Sequence, residues 1–225
     1  MPRIILIALL ALTTLSQAEH VILTGGPALR KWENLRIKPD RHDRWWANFI
    51  RASTLRMVEI RKAYGSDAPI VWIVHRDGYR TRSGEDGKPY TTWISDLARK
   101  RNNVTLMWFD SSNELIQKLN SRPKGSIVSF DFFGHSNKYC FMFDYSNDIL
   151  GASTIWLHEN DLSKINRSIF AKNSYCKSWG CHTGESMSKV WKRSFGVPLE
   201  GAKGPTDYTV VGKGKMPVVK GSWAR

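Results

Sequence analysis

From Ala68 onward the chain alternates short apolar runs with amphipathic segments. The runs PIVWIVH (69–75), NVTLMWF (103–109), GSIVSFDFFGH (125–135) and KNSYCKSWGC (172–181) are rich in β-branched and aromatic residues. Runs of this length and composition predict strands. Between them, TTWISDLARKR (91–101), SSNELIQKLNSRP (111–123) and TGESMSKVWKRSFG (183–196) carry apolar residues at helical spacing. The second opens on a serine or asparagine cap ahead of Glu114, and the third closes near Gly196. Upstream, HVILTGG (20–26) predicts a short strand entering a glycine turn. HDRWWANFIRASTLRMVEIRKAYG (42–65) predicts an amphipathic helix capped by Gly65. Regular alternation of apolar strands and helices implies an α/β fold, a three-layer sandwich around a mainly parallel sheet.

Residues 138–160 predict a hairpin or loop with short strands, and HENDLSKIN (158–166) a small helix. The segment from Val197 has too many glycines and prolines for long elements, so short strands or packed loops are expected there. No repeat or low-complexity linker divides the chain. A single domain over 19–225 follows, with its layered core at about 69–192 and a glycine- and proline-rich C-terminal segment at 197–225.

Residues 1–18 change the compartment. Arg3, an apolar stretch from Ile4 to about Leu15, and the small residues Ser16 and Ala18 around Gln17 have the form of a secretory signal peptide. A secreted or periplasmic protein with no transmembrane span after cleavage is expected. The net charge of +14 favours acidic surfaces or polymers as partners. The basic residues are dispersed and no nucleic-acid module is present, so no specific nucleic-acid partner is expected. Three cysteines, Cys140, Cys176 and Cys181, leave at least one unpaired within a monomer. A Cys140–Cys176 disulfide is the pairing that would free Cys181.

The chemistry concentrates where two apolar runs stop. SFDFFGHSN (129–137) ends on His135, and NSYCKSWGCHTGE (173–185) ends on Cys181. In an open parallel sheet, sites collect beyond the carboxyl ends of the strands. A histidine and a cysteine at two such ends can form a general base and a nucleophile, and a helix opening after Cys181 would favour its thiolate. Gly180 would let the backbone approach a substrate closely.

With the strand order and the FFGHS and SWGCHTG motifs in place, the stretch from about Pro69 to Lys192 resembles the caspase-like cysteine peptidases, the group that includes caspases, metacaspases, clostripain and gingipains. The resemblance implies an endopeptidase with a catalytic dyad of His135 and Cys181. It also implies an oxyanion hole of backbone amides near Ser136 and Cys181, a peptide or protein substrate, and no cofactor. Two features depart from the family pattern. Ser136 stands where glycine usually follows the histidine, and Gly-Cys-His-Thr-Gly replaces the caspase signature around the cysteine, so caspase specificity for aspartate is not implied.

Three neighbours are candidates for contact with substrate or for orientation. Asp131 precedes His135 on the same run and equally suits a buried structural carboxylate. His182 suits a local role at the start of the next helix, and Asp207, with Tyr208, suits a turn unless the C-terminal segment returns to the cleft. A metal centre built from Cys176, Cys181, His182 and His135 lacks a zinc-type spacing, so no metal is expected. A serine hydrolase lacks its G-x-S-x-G elbow. The alternative function is a catalytically inactive caspase-like protein, or a cationic secreted binding protein that recognises an acidic partner.

Overall fold

The computed structural model describes residues 18–35, 44–144 and 153–225. Residues 1–17 of the signal peptide expected over 1–18 lie outside this range. A seven-stranded sheet organises the chain: β1 (Glu19–Thr24), β2 (Ile70–His75), β3 (Val104–Phe109), β4 (Ile127–Phe133), β8 (Phe170–Ser178), β9 (Leu199–Lys203) and β12 (Ser222–Ala224). Its spatial order is β3-β2-β1-β4-β8-β9-β12. All neighbours are parallel except β12, which returns antiparallel along β9.

Alternate residues of the central strands enter two separate cores, which is why these runs are continuously apolar. Val21, Leu23, Val71 and Ile73 face one core with Leu115 and Leu119 of helix α5 (Ser112–Asn120) and Trp191 and Phe195 of α6 (Met187–Phe195). Ile22, Trp72 and Val74 face the other, with Phe49, Ile50 and Met57 of α2 (Asn48–Tyr64) and Ile94 and Ala98 of α4 (Tyr90–Arg99). Helices therefore lie against both faces of the sheet. Ser111 caps α5 by accepting from the Glu114 N–H, as the SSNE pattern predicts. Gly65 and Gly196, at φ 103° and 76°, take the C-terminal positions of α2 and α6.

Several expectations require correction. HVILTGG is a strand as expected, but as β1 it pairs with both β2 and β4, so the layered core begins before Pro69. The layered core likewise runs past Lys192, through β9 and β12. Helix α3 (Arg76–Asp86) follows β2 directly, although its first residues have little apolar periodicity to announce it. Two 3-10 turns flank Ile165, the first over Glu159–Lys164 where a small helix was expected.

β1 sits where the chain order reverses, since β2 and β3 extend to one side and β4, β8 and β9 to the other. Such a reversal opens a crevice at the carboxyl edge. A small antiparallel sheet, β5 (His135–Ser136), β6 (Cys140–Met142) and β7 (Trp156–His158), lies at this edge, and Gly26 N–H donates to Phe143 O at 2.7 Å. The C-terminal segment folds back through β10 (Thr206–Asp207) and β11 (Val218–Val219), which pair with each other, before β12 joins the main sheet.

Candidate functional site

His135 and Cys181 follow β4 and β8, which are adjacent parallel strands. The ladder sets Phe132 opposite Ser178 and continues with Trp179 N–H donating to Phe132 O at 2.9 Å. Both loops therefore leave the same sheet edge side by side. They are joined directly: the Ser136 hydroxyl donates to Cys181 O at 2.8 Å. Gly180 makes this junction possible, because a Cβ there would collide with the Ser136 side chain. The serine that departs from the expected glycine fills the space left by the glycine before the cysteine.

The Ser136 backbone has a second property. Asn137 N–H donates to Cys140 O at 3.1 Å, so these residues form a hydrogen-bonded pair of the β5–β6 ladder. Alternation along an antiparallel ladder makes Ser136 and Phe141, the next pair, a non-hydrogen-bonded one. The Ser136 N–H consequently points away from β6.

The C-terminal segment does return to the cysteine. Thr206 N–H donates to Cys181 Sγ at 3.3 Å. A backbone donor aimed at sulfur favours the charged form of a thiol by the usual hydrogen-bond effect. Two residues on, Tyr208 OH donates to Trp179 O at 3.0 Å, and the tyrosine ring packs edge-on against Phe49 at 4.9 Å. Phe49 also meets the His135 ring edge-on, at 5.1 Å. A chain of contacts thus runs from His135 through Phe49 and Tyr208 to the residues around Cys181. Sequence reasoning missed Phe49 and Thr206. The aromatic spacing of α2 signalled only a packed face, and a backbone donor has no sequence signature.

The other expected residues take different places. Asp131 is fully buried within β4, where Arg56 Nε donates to its Oδ2 at 2.9 Å and the Trp179 indole to its Oδ1 at 3.3 Å. Burial pushes this carboxyl up, opposed by the guanidinium of Arg56. These bonds tie α2 and Trp179 to β4. His182 has φ 63°, is 44% exposed and pairs with Glu185 at 2.6 Å, a local contact within the turn. Asp207 accepts from the Thr209 N–H at 2.8 Å and hydroxyl at 2.6 Å, which is turn chemistry, though its neighbour Thr206 reaches the thiol.

The helix expected over 183–196 begins instead at Met187, after a run of turns. The backbone dipole in contact with the sulfur is the Thr206 amide. Cys140 and Cys176, the pairing that would have left Cys181 free, are not joined, and all three cysteines are thiols. Burial, with Glu159 nearby, pushes Cys140 up to about 11, and burial pushes Cys176 up further still.

Among the described residues no group of three or more His, Cys, Asp or Glu side chains is arranged to hold a metal ion. No helix among them is long and apolar enough to cross a membrane. No family model matches the chain, and neither a curated protein nor a solved structure matches it.

Proposed function

We propose that the chain is a caspase-like cysteine endopeptidase that uses a Cys181–His135 dyad and acts outside the cytoplasm after losing residues 1–18. The observation that carries this reading is the junction of two loops from adjacent parallel strands, one bearing the histidine and the other the cysteine, through the Ser136–Cys181 hydrogen bond. The Thr206 amide on the sulfur adds to it.

In this mechanism His135 takes the Cys181 proton, and Sγ attacks the carbonyl carbon of the scissile peptide. The negative oxygen that develops would be met by the N–H groups of Ser136 and Cys181. Collapse breaks the C–N bond, and His135 gives its proton to the leaving amine. A water molecule, deprotonated by His135, then attacks the thioester carbon. The acid product departs and the thiol is restored. No cofactor enters these steps.

Ser136 couples the two loops and is a positioning residue. The basic surface would favour acidic protein substrates over basic ones at low salt. The test is hydrolysis of a mixed peptide library by the purified 19–225 protein. Cleavage that disappears in both Cys181→Ala and His135→Ala, while both variants keep the wild-type melting transition, is the expected result. Cleavage that survives Cys181→Ala, or a library left intact by the wild type, would remove the reading.

A further inference from the structure

We infer that the seam between α2 and α4 is a docking groove for an acidic, amphipathic polypeptide segment, separate from the cysteine site. Two adjoining hollows of 330 and 310 Å³ lie along this seam and share Trp46 and Leu97. The floor is apolar: Ile50 is buried, while Leu55, Leu97 and Trp46 are partly open to solvent. Such an opening between helices is a usual place for an inserted side chain.

The rim among the described residues is mainly cationic. Arg51, Lys100 and Arg101 border the hollows. Asp96, the one carboxylate on the lining, is already paired to Arg99 at 2.6 Å. Arg51 Nε donates to Val211 O at 2.9 Å, and Arg101 Nη1 donates to Leu97 O at 2.6 Å. Neither guanidinium has a carboxylate partner among the described residues. Arg61 adds a fourth positive charge close to Arg101, and it donates to the Asn102 carbonyl. Cations crowded together and answered only by carbonyls present positive potential to whatever enters.

The floor selects the class of occupant. One face of Trp46 is covered by Tyr90, with centroids 4.1 Å apart and rings nearly parallel. The remaining apolar surface joins Ile50, Leu55 and Leu97 to the exposed ring of Trp93, which suits bulky apolar side chains. The groove starts at Trp46, close in sequence to Phe49, the ring against His135. Its Arg51 bank also touches Val211, in the segment that begins with the Thr206 contact to Cys181. A polypeptide held there would run toward the cysteine edge.

The test is a fluorescence-anisotropy titration on the Cys181→Ala protein, so that its outcome is independent of any turnover. The probes are fluorescein-labelled 12-residue peptides, a set with two leucines four positions apart among glutamates and a matched set with glutamine in place of glutamate. The glutamate set should bind about tenfold more tightly and weaken as salt is raised. Lys100→Gln combined with Arg101→Gln should cost about fivefold or more while the melting transition stays in place. A Leu97→Ser variant that still folds should lose binding of both sets. Equal affinity for the two sets, no binding of either, or indifference to the double substitution overturns the inference. Tighter binding of a 12-nucleotide oligo-dT, or of phosphatidylglycerol vesicles, through the same residues also overturns it.

Discussion

Cys176 and Cys181 belong to one strand and the loop that continues it, yet they occupy opposite chemical settings. Cys176 is 1% exposed in the core under Trp191, where burial holds its proton on. Cys181 lies past the last ladder residue, partly exposed, with a backbone N–H directed at its sulfur. The same strand thus supplies a packing residue where both faces are covered and a candidate nucleophile where coverage stops. Position relative to the sheet edge, rather than residue type, separates the two roles.

The largest expected effect tests that separation by exchange. On the best peptide from the library, Cys181→Ala should lower kcat/KM by about a thousandfold or more, as removal of a nucleophile does. Cys176→Ala should leave turnover near wild type and cost about 1 kcal/mol of stability, measured by urea denaturation. Comparable losses of activity in both variants would break the comparison.

A histidine inside the sheet sharpens it through pH. His20, 2% exposed in β1, accepts or donates at Nδ1 to the Ser129 hydroxyl at 2.8 Å. Burial, with the charge of Arg56, lowers its pKa from 6.5 to about 4. A histidine held neutral in the fold contributes stability fully above its unfolded value. That stability is lost as pH falls from 6.5 toward 4, by about 3 kcal/mol for this shift. Thermal unfolding followed over this range should show the loss, and His20→Asn should flatten it.

A smaller effect is expected at the edge. Gly180→Ala places a Cβ against the Ser136 side chain and should cost about 1–3 kcal/mol, together with activity. Ser136→Ala removes the hydroxyl responsible for the closest approach, so the double variant should be less damaged than the sum of the singles. A strictly additive cycle would separate the two loops energetically. Tyr208→Phe, which deletes the bond to Trp179 O, should cost about 0.5–1.5 kcal/mol with little change in the core.

The interior was more legible than the edge. Continuous apolar runs marked β2 and β4 because burial on both faces leaves a direct imprint on composition, whereas β3 and β8, only partly covered, were marked by β-branched and aromatic residues interleaved with polar ones. HVILTGG carried the same imprint, but its length gave no sign that it was the central strand, since sheet order depends on long-range pairing. His135 and Cys181 could be picked out because each ends an apolar run beside glycine. The contacts that now define their surroundings, from Thr206, Tyr208 and Phe49, arise from chain segments remote in sequence. The delayed start of α6 was hidden because residues 181–186 form turns while carrying the small polar residues that also open helices.

The most direct measurement is the rate of iodoacetamide alkylation at pH 6, resolved by mapping each cysteine in the folded protein. An ordinary thiol with a pKa of about 8.5 is then only about 0.3% thiolate. The account predicts that Cys181 is modified at least about tenfold faster than a free model thiol, that Cys140 and Cys176 lag far behind, and that His135→Ala removes the advantage. Labelling of Cys181 no faster than the model thiol, and unchanged by His135→Ala, would contradict it.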